Sequence, residues 1–205
     1  MDFEELIQKE VVEYHIKKGT TLYRFVNGVS PNDVDFCHMQ NKGSKGRFNG
    51  MTDIYYCTND KRNLSFEFKK DSIGSIIVST VTSDNLCVGQ IVKGELFQML
   101  YGLTREELEE ADKLNLHLRN HLNLNKIVDN EKTSQIAIFI LKKYSDGIAF
   151  PSVYGFPNGI TVGNRSFCIS DDNKLCADKY ALNFALTSTG LKKINEHTKD
   201  SYCIP

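Results

Sequence analysis

The sequence predicts a single α+β domain: a mixed, mainly antiparallel β core with flanking helices. Three observations carry this. Runs rich in β-branched and aromatic residues, such as Thr20–Asn27, Ser75–Thr82 and Leu86–Val92, have strand length and outnumber the helical windows. Windows with apolar residues at helical spacing are also plentiful. The two kinds do not follow the regular strand–helix–strand alternation of a doubly wound sheet. With 205 residues and no repeat, low-complexity tract or Pro/Gly/Ser-rich linker, residues 1–205 read as one domain.

Taken in order, residues 1–19 predict an opening helix over 2–18. Asp2 and Glu5 have capping-box spacing, Phe3, Leu6, Ile7 and Val11 are the apolar positions, and Gly19 suits the stop. Thr20–Asn27 alternates as a strand and carries Arg24. Residues 28–50, rich in Gly, Asn, Ser and Asp, read as a long loop, a kind that is often functional. Asp53–Thr58 is a second strand, and Asn59–Lys70 a short helix capped by Asn59 or Asp60, with Glu67 in its last turns. After the strands Ser75–Thr82 and Leu86–Val92, a Thr104–Glu107 capping box opens a helix to about Leu124. Lys132–Tyr144 is a further helix, ended by Ser145-Asp146-Gly147. Ile148–Val153, Ile160–Ser170 and Lys179–Leu186 complete the strands.

Bulk properties narrow the function. Lys and Arg number 25 against 26 Asp and Glu, a balance that argues against a surface built for nucleic acid or anionic membrane. The longest apolar run, Ile136–Leu141, suits a core and not a membrane span. The acidic start Met1-Asp2-Phe3-Glu4-Glu5 does not have the form of a Sec signal peptide. The 6 cysteines are scattered without a C-x-x-C pair, which points to reduced thiols and a cytoplasmic setting. His117 and His121 have the spacing of a metal pair on a helix, but residue 118 is Leu and no third ligand is evident, so no metal is expected. The run Glu106–Glu110 reads as a solvated helix face near the positive end of its dipole.

The residues suited to chemistry lie elsewhere. A guanidinium on a strand, as at Arg24, can fork onto a phosphate with two hydrogen bonds; its plainer role is an edge-strand ion pair. Arg47 lies in Gly46-Arg47-Phe48-Asn49-Gly50, where the glycines permit close backbone approach and Asn49 can shape a turn. Tyr55 and Tyr56 point to opposite faces of their strand, so only one can join a site while the other packs. Glu67 offers a fixed carboxylate against a developing positive charge, or is a solvated helix glutamate. Ser152 follows Pro151, which sets its direction. No G-x-S-x-G elbow surrounds it, so its hydroxyl reads as a hydrogen-bonding group and not a nucleophile.

The order and framing of these segments resemble the RES family: Leu22-Tyr23-Arg24-Phe25, Gly46-Arg47-Phe48-Asn49, Tyr55-Tyr56-Cys57, Glu67 and Asp146-Gly147-Ile148-Ala149-Phe150-Pro151-Ser152. The likeness runs over about residues 20–167. Phe48 stands where the family typically has tryptophan, and the chain has no Trp. The resemblance implies an ADP-ribosyltransferase-like fold and an NAD-degrading toxin of a bacterial toxin–antitoxin pair. It implies catalytic Glu67, Arg24 and Ser152, with NAD⁺ bound by Arg24, Arg47, Tyr56, Asn49 and Ser152. NAD⁺ would be the substrate, with no cofactor and with water or phosphate as acceptor. A cognate Xre-type antitoxin would be the partner. Two other readings stand beside it. One is an ADP-ribosyltransferase modifying a macromolecule, although Ser65-Phe66-Glu67 lacks the Glu-x-Glu or Gln-x-Glu that often orients an arginine acceptor. The other is a module that binds NAD or ADP-ribose without turnover.

Overall fold

The computed structural model describes residues 3–35, 48, 54–64, 68, 70–91, 95–101, 104–106, 130–151 and 182–205. Among these the strands are β1 (Val11–Ile16), β2 (Thr21–Asn27), β3 (Tyr55–Thr58), β4 (Ile73–Val81), β5 (Leu86–Ile91), β6 (Gly147–Pro151), β7 (Leu182–Leu186) and β8 (Ile194–Cys203). The helices are α1 (Phe3–Glu10), α2 (Glu95–Tyr101), α3 (Asn130–Lys143) and the single turn α4 (Ser188–Leu191). All eight strands join one sheet in the order β1-β5-β6-β7-β3-β2-β4-β8. Only β5 and β6 run parallel; every other neighbouring pair is antiparallel. The fold is therefore α+β on a single, mostly antiparallel sheet.

The opening helix is shorter than the sequence suggests. It stops at Glu10, and Val11–Ile16 turns into β1, paired along its whole length with β5. Val11 and Val12 are stiff at χ1 and favour strand, and six cross-strand positions outweigh a continued helix on the capping-box pattern. Glu10 is buried at this junction, where its carboxylate accepts the Leu96 backbone N–H at 2.7 Å, in the first turn of α2. That contact satisfies one of the turn's free donors and places negative charge at the favourable end of the helix.

Consecutive strand residues divide between two cores. Ile148 and Ala185 belong to a cluster with Ile7, Val11, Ile91, Leu96, Leu100, Ile136 and Ile140, roofed by α1, α2 and α3. Their chain neighbours Ala149, Phe184 and Leu186 belong to a second cluster with Ile16, Leu22, Tyr55, Cys57, Leu86 and Val88 on the other face. Gly89 lets α3 close onto the first face, because a Cβ there would stand 2.5 Å from Tyr144 Cδ2 and 2.6 Å from Ile140 Cγ2. Phe25, Leu64, Ile76 and Ile204 form a third, smaller cluster.

The strands β2 to β7 coincide with segments read from the sequence. β8 does not, and its composition explains why: Ile194-Asn-Glu-His-Thr-Lys-Asp-Ser-Tyr-Cys is polar with few β-formers. It is held by pairing to β4 along the edge of the sheet, where charged residues also discourage strand addition. The helices α2 and α4 were likewise not apparent. Of the helix expected from Thr104, only residues 104–106 are described, and Ile160–Ser170 lies outside the described residues. The segment expected as a helix from Asn59 begins as a 3-10 turn, Lys61–Asn63, with Asp60 as its cap. No helix among the described residues is long and apolar enough to cross a membrane.

Candidate functional site

β2 pairs with β3 so that Tyr23 stands opposite Thr58. Arg24 therefore shares a face with Cys57 and Tyr55, and Tyr56 points to the other. The contacts agree with this register. The Arg24 guanidinium carbon sits 4.7 Å from the centroid of the Tyr55 ring. The Tyr56 ring stacks against Phe48, with centroids 6.3 Å apart and planes 8° from parallel, and Phe48 meets Phe150 edge-on at 5.5 Å.

Two β4 neighbours complete the Arg24 surroundings. The pairing of β2 with β4 puts Ile77 opposite Arg24 and Ser79 opposite Leu22. β8 adds Glu196 opposite Ser79, and a carboxylate oxygen of Glu196, Oε2, is buried with no hydrogen-bond partner among the described residues. The described part of the loop expected over 28–50 is pinned along the same face. Ser75 Oγ donates to the Val29 carbonyl at 2.6 Å, and Lys199 Nζ donates to the Val34 carbonyl at 2.8 Å.

Arg24 is only 9% exposed, and its Nη1 is buried without a hydrogen-bond partner among the described residues. Burial lowers its pKa, and Tyr55 and Cys57 oppose the shift. The group nevertheless keeps its charge, since an arginine does not lose its proton in proteins. The Tyr55 phenol is pushed up, chiefly by burial and then by Cys57, with Arg24 and a hydrogen bond with Ser79 working the other way. Cys57 is raised too, by complete burial, against the pull of Arg24. At neutral pH a fixed cation thus stands beside a neutral phenol and a neutral thiol. A guanidinium so placed can hold an anion through its forked donors.

The chain matches no family model, no curated protein and no solved structure.

The other residues singled out by sequence fall in different places. Phe48, at the centre of the Gly-Arg-Phe-Asn segment, is buried on the helix-roofed face as part of the Phe48–Tyr56–Phe150 aromatic group. Tyr56, the tyrosine that the resemblance implies, lies with that group, and Tyr55 is the tyrosine beside Arg24. Arg47, Asn49, Glu67 and Ser152 lie outside the described residues, as do His117 and His121. Leu64 and Phe68, which bracket Glu67 in sequence, both pack with Phe25, the residue after Arg24.

Asp146, in the stretch that ends at Ser152, has a structural task. Its Oδ2 accepts the Cys87 backbone N–H at 2.8 Å and Lys193 Nζ at 2.6 Å, while its carbonyl accepts the Thr187 N–H at 3.0 Å. Gly147 follows where a Cβ would stand 2.5 Å from the Ala185 carbonyl oxygen, so β6 can close on β7 only with glycine there. Sequence reading left open which of Tyr55 and Tyr56 joins a site, and missed Ser79, Glu196 and the Asp146–Lys193 pair. Strand alternation could have paired Tyr55 with Arg24 had the register of β2 and β3 been known.

Proposed function

We propose that the chain is an NAD⁺-cleaving enzyme of the RES type on an ADP-ribosyltransferase-like fold, acting in the cytoplasm as a toxin that an Xre-type antitoxin restrains. The observation that supports it most is the Arg24 guanidinium, nine-tenths buried, set against Tyr55, with an Nη1 that no described residue engages. A buried cation left without an anion is costly, and a pyrophosphate supplied by substrate offsets that cost. Arg24 would grip a phosphate oxygen of NAD⁺ through the N–H donors of its Nη1. Tyr55 takes the place beside it that the resemblance implies for Tyr56.

The chemistry asks little more of the protein than positioning and charge. As the ribosyl C1″–N bond breaks, its electron pair leaves with nicotinamide, which departs neutral and needs no general acid. Glu67 stabilises the oxocarbenium-like ribose and accepts a hydrogen bond from the 2′-hydroxyl that strengthens as charge grows. Water or phosphate then adds to C1″, giving ADP-ribose and a proton, or ADP-ribose-1″-phosphate. Ser152, Arg47 and Asn49 would hold phosphate or ribose oxygens.

The test is nicotinamide release from NAD⁺ by the purified chain, with and without phosphate, beside Glu67→Gln. Release that vanishes in Glu67→Gln is the expected result, and the ADP-ribose product names the acceptor. Undiminished release by Glu67→Gln would refute this mechanism. Label carried from NAD⁺ into a macromolecule in place of free ADP-ribose would identify a transferase instead.

A further inference from the structure

A second cluster lies at the other end of the sheet, away from Arg24 and on the face that α3 covers. Glu13 and His15 are two apart on β1 and so share a face. His15 stands directly opposite Cys87 on β5, and Glu13 opposite Gly89. One ligand atom from each of Glu13, His15 and Cys87 lies within 4.8 Å of the other two. His15 Nε2 and Glu13 Oε1 already meet at 2.7 Å.

These contacts have a plain reading, a surface His–Glu hydrogen bond beside a half-buried thiol, and such a pair contributes little to stability. Three features go further. The donors are an imidazole, a thiolate-forming sulfur and a carboxylate, the set that zinc-class ions favour over magnesium or calcium. They come from two strands locked in a six-position antiparallel register, so the spacing is set by backbone. The backbone at Cys87 is itself fixed by Asp146, whose carboxylate accepts the Cys87 N–H and is held in turn by Lys193. Tetrahedral zinc with ordinary bond lengths of about 2.0–2.3 Å brings its donors to within about 3.3–3.8 Å of one another. Reaching that range requires the His15–Glu13 pair to open from 2.7 Å and any wider spacing to shorten, by rotation of the exposed Glu13 and His15 side chains.

We propose that Glu13, His15 and Cys87 form a binding site for a zinc-class divalent ion, with a fourth position open to water. The ion takes the lone pair of His15 Nε2, with the ring proton on Nδ1, the Glu13 carboxylate in place of their mutual hydrogen bond, and Cys87 as thiolate, whose proton leaves to solvent. It ties the edge strand β1 to β5 from the outside, apart from Arg24 and independent of NAD⁺ chemistry.

Co(II) added to the reduced, full-length chain provides the test. One equivalent is expected to give a thiolate-to-cobalt charge-transfer band and the strong visible absorption of a tetrahedral site, both displaced by Zn(II). Cys87→Ser should remove the charge-transfer band, and His15→Ala should weaken binding by at least about tenfold. In the unaltered chain Zn(II) should also protect Cys87 from alkylation, read by mass spectrometry, which keeps the test valid if Cys87→Ser folds poorly. A chain that gives no band and no protection overturns the proposal. So does a band that survives Cys87→Ser, or one that His15→Ala leaves at full strength.

Discussion

Asp146, in the turn before β6, and Arg24, on β2, are both buried charges, 3% and 9% exposed, and their surroundings treat them in opposite ways. The carboxylate of Asp146 has a cation at 2.6 Å and a backbone N–H at 2.8 Å, and its own backbone is bonded into the turn before α4. Arg24 has an aromatic face and a buried Nη1 with no acceptor among the described residues. A charge so fully satisfied serves the fold: removing it takes the acceptor from the Cys87 N–H and the counter-charge from Lys193. A cation left open inside a protein carries a desolvation penalty that the fold does not recover by itself, and an incoming anion can. The contrast separates a pin from a socket.

The strongest way to break that contrast is at the pin. Asp146→Ala should lower stability by about 3 kcal/mol in urea unfolding, because it leaves the Cys87 N–H without its acceptor and Lys193 with only the Asn85 carbonyl. A loss under about 1 kcal/mol would mean that the corner repacks and that the pair is not structural.

At the socket the expectation reverses. On the proposed function, Arg24→Lys should reduce NAD⁺ cleavage on the order of a hundredfold, since an ammonium cannot copy the forked donor, with the fold intact. Arg24→Met should remove cleavage as well, yet leave stability unchanged or raise it by up to about 2 kcal/mol as the uncompensated charge disappears. A marked fall in the stability of Arg24→Met would place Arg24 with Asp146 as a structural group.

A smaller effect sharpens the same point. ADP-ribose should raise the melting temperature of the unaltered chain and leave that of Arg24→Met where it was, because a ligand stabilises only the state that binds it. Equal shifts in both would put the anion somewhere other than against Arg24.

The smallest effect concerns a surface charge. Asp60 accepts the Arg62 backbone N–H at 2.9 Å and caps the 3-10 turn, while Arg62 also bonds the carboxylate from its side chain. The side-chain hydrogen bond from Arg62 is the main cause that lowers the Asp60 pKa, against a smaller rise from burial. A carboxylate with a depressed folded pKa contributes stability above its unfolded value and loses it as pH falls through the folded one. Asp60→Ala should therefore cost about 1 kcal/mol at neutral pH. The gap to the unaltered chain should narrow on acidification, as followed by urea midpoints at a series of pH values.

How much of this was legible in the sequence varies with the kind of information. The fold class and β2 to β7 were readable, because alternating β-branched and aromatic residues such as Leu22-Tyr23-Arg24-Phe25 encode two faces locally. Asp60 was one of two caps named, since a capping side chain needs only its own turn. The end of α1 was not readable, because Val11 can finish a helix or begin a strand until β5 lies beside it. β8 was hidden for the same reason, being a polar segment that is a strand only by pairing with β4.

The candidate site divides along this line. The sequence by itself determined that Arg24 sits on a strand between aromatic residues, that Tyr55 and Tyr56 face opposite ways, and that Asp146-Gly147 ends a helix and begins a strand. Only the tertiary structure decided that Tyr55 is the neighbour of Arg24, that Asp146 is held by Lys193, and that Cys87 faces His15. Side-chain alternation is a property of each strand and can be read residue by residue. Register between strands distant in sequence is set by which pairing buries both faces at once, and a chain read from end to end does not contain that comparison.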